Sequence, residues 1–212
     1  MSLILYVDRN RISPYALSAY VALSEKRLPF TVQDVDLDAG AARQPPFSAL
    51  SLTQRVPAID HDGFILTESN AIADYLDDVF AAPDYPSVLP RDLRQRARAR
   101  QVQAWLRSDL LALRNERDST VVFHPPRADH APLSPAAQAA GAKLLQIAGE
   151  LVQGEHLFGA WSIADTDLAL MLLRLIKSGQ PVPPALRAYA LAQWQRPAVR
   201  QWLANVPLPQ LA

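Results

Sequence analysis

Hydroxyl and carboxyl side chains stand at the start of several segments that have the pattern of a helix. Ser13 precedes Pro14, and proline is favoured at the first helical position, where a preceding serine commonly supplies the cap. Glu68 and Ser69 open a second such segment. There the two side chains can cap the helix or bind charged groups of a ligand. The local sequence favours capping for Ser13 and leaves both roles open for Glu68 and Ser69.

A third segment begins with Ser162 and Asp165, which have the S-x-x-D spacing of a capping box. In that motif the acidic side chain accepts a hydrogen bond from the backbone N–H of the serine. We therefore expect Asp165 to stabilise a helix rather than to contact a ligand.

Several kinds of chemistry have no matching residues. The chain has no cysteine, which excludes disulfides, thiolate metal sites and a protein thiol nucleophile. Its four histidines have no zinc-type spacing, so we expect no metal. No dinucleotide or P-loop motif occurs. The formal net charge is zero, and the alternating arginines at 94, 96, 98 and 100 point to different helix faces, so we expect no nucleic-acid partner.

Nothing in the sequence predicts export or membrane insertion. The first residues have no basic lead-in and only a short apolar run, unlike a signal peptide. The longest apolar stretch, from Leu168 to Ile176, contains Arg174 and is too short to span a bilayer. We therefore expect a cytoplasmic protein without a membrane partner.

The first part of the chain alternates strand and helix patterns. The predicted order is a buried strand at Leu3–Val7, a helix from Pro14, a strand at Phe30–Leu37, a hairpin from Val56–Ile59 and Phe64–Leu66, and a helix around Ile72–Phe80. Residues 38–55 read as a loop or a poor helix. The order predicts a mixed four-stranded sheet with helices packed against it.

The second part has only helical patterns. Three prolines at 83, 86 and 90 indicate an extended linker. Helices are predicted at Asp92–Arg117, at Pro135–Gln153, at 163–177, near 184–193 and near 197–204. We predict an α/β domain at residues 1-82, a linker at 83-90 and an all-helical domain at 91-212.

The motifs, in this order and over nearly the whole chain, resemble the glutathione S-transferase superfamily. Ser13-Pro14-Tyr15 resembles the start of the first helix of a thioredoxin-like fold, and Val56-Pro57 the pair before its third strand. Glu68-Ser69-Asn70-Ala71-Ile72 is similar to the glutathione signature, and Ser162-Ile163-Ala164-Asp165 to the buried helix cap of the second domain. The serine at position 13 resembles that of bacterial serine-type members.

The resemblance implies that glutathione is the co-substrate and that Ser13 donates a hydrogen bond to its thiolate. It also implies a cis Pro57 of structural importance, a Val56 backbone that pairs with the cysteinyl unit, and Glu68 and Ser69 as the grip on the γ-glutamyl head. Many relatives have Pro-x-Gly where this chain has Leu52-Thr53-Gln54-Arg55. Gln54 and Arg55 are expected at the glutathione site, and the contacts of the glycyl end stay open.

An electrophile pocket is expected beside the thiolate. Its candidate walls are Tyr15, Trp105, Asp109 and Leu110, with core packing as the stronger interpretation for Trp105 and Leu110. The implied reaction is conjugation of glutathione to small apolar electrophiles or reduction of organic peroxides. The alternative is a non-catalytic ligand-binding or protein-interaction module on the same fold.

The resemblance also implies a homodimer. Its interface would pair the arginine-rich helix at 94–100 with acidic residues such as Asp74, Asp77 and Asp78.

Overall fold

The computed structural model describes residues 1–127 and 129–207. Within them the chain forms two compact units, one of Met1–Leu89 with Gln201–Pro207 and one of Pro90–Arg200. The predicted ranges, 1-82 and 91-212, differ from these units in two ways. Residues 83–89 of the predicted linker group with the first unit, and so do residues 201–207. The last five residues of the predicted second domain lie outside the described residues.

The first unit contains the predicted mixed sheet. Its strands are β1 (Leu3–Asp8), β2 (Thr31–Val35), β3 (Ala58–His61) and β4 (Phe64–Thr67), and its helices are α1 (Pro14–Glu25), α2 (Phe47–Leu50) and α3 (Ser69–Val79). The strand order is β2-β1-β3-β4, with β1 and β2 parallel and the other neighbours antiparallel. The α/β character of this part of the chain is confirmed.

Alternation along β1 divides the core of this unit between the two faces of the sheet. Leu5 and Val7 are completely buried, and α1 and α3 pack against each other in the same unit. Tyr6 points to the opposite face, where it packs with Phe47 of α2 and with Val35. The predicted loop 38–55 therefore supplies a short helix, α2, that covers the second face of the sheet.

A buried ion pair fixes the end of α3 and the segment after it. Lys26 Nζ lies 2.8 Å from Asp77 Oδ1 and donates to the Phe80 carbonyl at 2.7 Å. The same carboxylate accepts the N–H groups of Val88 and Leu89. Asp77 is 6% exposed, so the prediction that it meets an arginine of a second subunit is wrong. The Asp77 carboxylate already pairs with Lys26 inside the unit.

The second unit is helical, as predicted. Its helices are α4 (Leu93–Ser108), α5 (Leu111–Glu116), α6 (Ser119–Phe123), α7 (Pro135–Leu151), α8 (Ile163–Lys177) and α9 (Pro184–Trp194); α10 (Pro197–Leu203) spans the boundary between the units. Every residue from Ile163 to Ile176 is buried, as expected for a central helix. None of the helices in the described part of the chain is both long and apolar enough to cross a membrane.

The predicted single helix at Asp92–Arg117 is interrupted. Asp109 is extended and Leu110 has a left-handed backbone with φ 60°, so α4 ends at Ser108 and α5 starts at Leu111. The apolar spacing of Leu106, Leu110 and Leu113 continues through the break, which explains why periodicity alone did not find it.

The Ser162–Asp165 motif lies at the start of α8. Asp165 Oδ2 accepts the N–H of Ser162 at 2.8 Å, while its Oδ1 accepts the N–H of Leu157 and the hydroxyl of Tyr189. Burial raises the pKa of Tyr189, and the neighbouring Asp165 carboxylate raises it further. These bonds support a structural role for Asp165, because a buried carboxylate needs several donors.

Candidate functional site

The register of the sheet brings three of the sequence motifs to one edge. Tyr6 of β1 pairs with Ala58 of β3, and Ala58 pairs with Thr67 of β4. The loop to Ser13 leaves β1 just beyond this row, Val56-Pro57 enters β3 just before it, and Glu68 follows β4. Segments far apart in sequence therefore meet because β3 runs antiparallel to both of its neighbours.

Ser13 is the N-cap of α1. Its Oγ accepts the Ala16 N–H at 3.2 Å, and Pro14 occupies the first helical position. Accepting this bond uses an oxygen lone pair and leaves the hydroxyl hydrogen able to donate to another group. The side chain is half-buried at the positive end of a 12-residue helix. Capping and stabilisation of an anion are thus compatible roles for the same hydroxyl.

Asp8, which the sequence analysis missed, holds the backbone of Ser13. Its carboxylate accepts the N–H of Ile12 at 2.7 Å and that of Ser13 at 3.1 Å. Burial raises the pKa of Asp8, while the N–H donors and then the Arg11 charge act in the opposite direction. The available signal was an acidic residue ending a buried strand five positions before the candidate serine.

The segment before β3 has a turn and a cis peptide bond. Gln54 has φ 53° and donates its N–H to the Ser51 carbonyl at 3.1 Å, and the Val56–Pro57 bond is cis. Gln54 is thus in the left-handed region of the backbone, which favours glycine. Gln54 and Arg55 are exposed, Val56 is half-buried and Pro57 is buried.

Glu68 and Ser69 begin α3. Glu68 is exposed and has φ 70° and ψ 112°, a conformation that a residue with a side chain rarely adopts. Such strained residues concentrate at ligand-binding sites. Ser69 is 3% exposed and stands at the first position of the helix, where backbone N–H groups attract anions.

Three of the four candidates for the electrophile pocket lie in the second unit, and Tyr15 lies in the first. Asp109 Oδ2 accepts the Trp105 indole N–H at 3.0 Å and lies 2.5 Å from Lys143 Nζ. The Lys143 ammonium, then the Leu110 and Trp105 N–H groups, lower the pKa of Asp109 to about 2. Lys143 belongs to α7, and sequence spacing gave no sign of this pairing.

The exposure of the two apolar pocket candidates differs. Leu110 is 1% exposed, which favours the packing interpretation for its side chain. Trp105 is half-buried, so part of this residue is accessible. Of the two apolar candidates, Trp105 is therefore the better wall for a pocket.

In the part of the chain that the structure describes, residues that could hold a metal ion do not cluster. Among the described residues, no group of three or more histidine, aspartate or glutamate side chains has the required arrangement. The donor groups at the sheet edge are hydroxyls, a carboxylate and backbone amides. They suit hydrogen bonding to a charged organic molecule.

Comparison with protein families gives two matches. Residues 12–79 match the family model of the glutathione S-transferase N-terminal domain, and residues 92–207 that of the glutathione S-transferase C-terminal domain. Glutathione S-transferase 3 from Zea mays is 29% identical over 213 residues, covering 93% of this chain and 92% of that protein. Human glutathione S-transferase theta-1 is 34% identical over 110 residues, which is 52% of this chain and 44% of that protein.

Solved structures agree with these matches. A glutathione transferase homologue from Burkholderia GL BGR1 with bound glutathione is 45% identical, with a TM-score of 0.81 over 96% of this chain and 97% of that chain. A theta-class enzyme from Xanthomonas axonopodis pv. citri with glutathione bound has the same fold, with 24% identity and a TM-score of 0.76 over 95% and 97%.

The mixed sheet with its helices, followed by a helical unit, defines a thioredoxin-like protein of the glutathione-dependent class. The chain belongs to the glutathione S-transferase family. It is a transferase, and glutathione is its co-substrate.

Proposed function

We propose that this enzyme activates the thiol of glutathione at Ser13 and transfers the sulfur to small apolar electrophiles, with organic peroxides as a second substrate class. The observation that carries the proposal is the Ser13 hydroxyl, which caps α1 through its lone pair and keeps its hydrogen for an anion. In this scheme the sulfur of glutathione is the nucleophile, and the chain has no cysteine to supply a protein thiol in its place.

The energy required for this activation is modest. A free thiol has a pKa of ~8.5, so only a few per cent is thiolate at neutral pH. Lowering that pKa by about two units takes roughly 2.7 kcal/mol of selective stabilisation. One hydrogen bond to an ion contributes about 1.5–3 kcal/mol, and the N-terminus of α1 adds to it.

Both reactions begin from the thiolate. In conjugation a carbon–sulfur bond forms and the leaving group departs with the bonding electron pair. In peroxide reduction the sulfur attacks the O–O bond and releases an alcohol, and a second glutathione then displaces water to give glutathione disulfide. Two thiols are oxidised for each peroxide reduced, so the electrons balance without a metal.

The rest of glutathione would lie along the same sheet edge. We assign Glu68 to the γ-glutamyl ammonium group, and Ser69 with the N-terminus of α3 to its carboxylate. The Val56 backbone would pair with the cysteinyl unit. The exposed Gln54 and Arg55 are adjacent in the chain and would reach the ligand beyond it.

The electrophile, the assembly and the location follow as further parts of the proposal. For electrophile binding we assign Tyr15 in the first unit and, separately, Asp109 and the half-buried Trp105 in the second unit. A homodimer would be the assembly, since two-fold pairs are the commonest oligomers. Light scattering at micromolar concentration tests this assembly.

Cell fractionation tests the expected cytoplasmic location, which the absence of cysteine favours.

The deciding experiment is retention on immobilised glutathione followed by assays with chlorodinitrobenzene and with an organic hydroperoxide. We expect retention, turnover of at least one substrate, and loss of turnover without loss of retention in Ser13→Ala. A retained protein that turns over neither substrate contradicts the proposed substrate classes. Equal turnover in Ser13→Ala contradicts the proposed role of Ser13.

A further inference from the structure

The loop between Asp8 and Ser13 is held by a residue from the far end of the chain. Trp202 lies in the last turn of α10, within the part that groups with the first unit. Its indole Nε1 donates to the Arg11 carbonyl at 3.1 Å. The two residues are 191 positions apart, and Trp202 is 2% exposed.

One peptide group of this loop is clamped at both ends. The Arg11 carbonyl and the Ile12 N–H belong to the same peptide unit. Trp202 donates to the carbonyl at 3.1 Å, and Asp8 accepts from the N–H at 2.7 Å. Because a peptide unit is planar and rigid, two bonds on opposite sides fix its orientation.

The conformation held in this way is unfavourable on its own. Arg11 has φ 54°, in the left-handed region that is unfavourable for a residue with a side chain. The Arg11 guanidinium lies 2.6 Å from Asp34 Oδ1 and its carbon is 5.5 Å from the centre of the Trp202 ring. The Tyr20 ring packs on the same indole, with ring centres 5.3 Å apart.

We propose that Trp202 is a positioning residue for the reaction: by holding the Arg11 carbonyl, it fixes the loop that aims the Ser13 hydroxyl. Ser13 directly follows Ile12, whose N–H belongs to the clamped peptide unit. The N–H of Ser13 donates to the same Asp8 carboxylate. The direction of its Cα–Cβ bond is therefore set by two partners, one on β1 and one on α10. The inference rests on the proposed function, in which that hydroxyl donates to the thiolate.

The consequence concerns turnover more than affinity. A hydroxyl displaced by a fraction of an ångström stabilises the thiolate less, whereas Glu68 and Ser69, on another segment, keep their places. Small misplacements of a catalytic group can cost up to about a hundredfold in rate.

The test is Trp202→Phe, which removes the N–H and keeps an aromatic ring beside Tyr20 and Arg11. We expect kcat to fall about tenfold, as for the loss of one neutral hydrogen bond, with KM for glutathione changed less than about twofold. The acidic limb of the pH–rate profile should move to higher pH, because the bound thiol ionises less readily. Trp194→Phe is the control, since Trp194 is also a buried tryptophan but packs against Phe123 in the second unit.

Two comparisons separate the possible failures. If Ser13→Ala moves the pH profile and folded Trp202→Phe keeps the parent kcat and profile, the positioning role is wrong and the role of Ser13 stands. If Ser13→Ala leaves the profile unchanged, the proposed function itself fails. In the Ser13→Ala background, Trp202→Phe should add no further shift.

If Trp202→Phe does not fold, a residue closer in shape to tryptophan replaces phenylalanine in the test. Benzothienylalanine at position 202 keeps the bicyclic shape and has no N–H donor. A folded protein with this residue and a shifted pH profile supports the proposal. The parent profile in that protein overturns it.

Discussion

The carboxylate of Asp8 and the backbone of Ser13 form one hydrogen-bonded unit at the end of β1. Asp8 Oδ1 accepts the Ser13 N–H at 3.1 Å, and Ser13 Oγ in turn accepts the Ala16 N–H at 3.2 Å. Between the strand and α1, the N–H groups of Arg11, Ile12, Ser13 and Ala16 thus each have an acceptor. The position of the Ser13 hydroxyl is set by the strand as well as by the helix.

Asp8→Asn should disturb this unit while keeping its size. An amide has one acceptor oxygen and two N–H donors, so either Ile12 or Ser13 loses its partner. We expect a loss of about 1–3 kcal/mol in the free energy of unfolding, measured by urea titration, and a lower kcat. Asp36→Asn is the control, because Asp36 lies in the neighbouring loop and pairs with the exposed Arg9. Equal kcat in the two variants would contradict the positioning of Ser13 by Asp8.

Glu68→Gln should weaken glutathione binding with little effect on folding. The substitution keeps the shape and the strained backbone but removes the charge assigned to the γ-glutamyl ammonium group. A hydrogen bond to a charged group contributes about 1.5–3 kcal/mol, which corresponds to a Kd about tenfold to a hundredfold higher. Calorimetric titration measures it, with Glu150→Gln on the exposed surface of α7 as the control. A Kd equal to that of the parent would contradict the assignment of Glu68 to glutathione binding.

Lys143→Met should restore the ordinary titration of Asp109. In the native enzyme the pKa of Asp109 is lowered to about 2, first of all by Lys143. The variant should raise that pKa toward the ordinary value of about 3.9, as followed by NMR of the side-chain carboxyl. A carboxyl group whose pKa is lowered in the folded state stabilises the fold at pH values above its ordinary pKa. This contribution to the free energy of unfolding is lost as the pH falls toward 2. An unchanged titration midpoint would show that Lys143 is not the main cause.

Lys26→Met should be among the most destabilising single substitutions of a charged residue. It leaves the Asp77 carboxylate without its cation in a fully buried position, and breaking a buried pair costs about 3–5 kcal/mol. Urea unfolding of the whole protein measures the loss in the free energy of unfolding. The same substitution at Lys143, whose side chain is 52% exposed, should cost far less. Similar losses in the two variants would contradict the importance assigned to burial.

The sequence predicted elements whose evidence is local. The strand after Leu3, the helix after Pro14 and the buried helix at 163–177 follow from periodicity and caps within a few residues. The break at Leu110 did not follow from the sequence, because the apolar spacing runs through it. The interruption is visible only in the backbone, where Asp109 is extended and Leu110 is left-handed.

Contacts of the candidate site that bridge distant segments were beyond such patterns. The bond from Trp202 to Arg11 spans 191 residues. The Asp109–Lys143 pair joins the break between α4 and α5 to α7. The hydrogen bonds of Asp8 to the Ser13 loop require the fold of that loop, which no short motif encodes. Family resemblance supplied Ser13, Glu68 and Ser69, whereas the residues that hold the Ser13 loop emerged only from the structure.

The central claim is that Ser13 lowers the pKa of bound glutathione, and the chain contains a matched control for it. Ser134 also caps a helix that starts with proline, and its Oγ accepts the Ala137 N–H at 3.2 Å. Ser13→Ala and Ser134→Ala should each lose a cap, which stabilises a helix by about 1 kcal/mol. The decisive measurement is the ultraviolet titration of the thiolate in the glutathione complex of each variant. We expect the thiol pKa to rise by about one to two units in Ser13→Ala and to stay at the parent value in Ser134→Ala; the parent value in both variants would contradict the account.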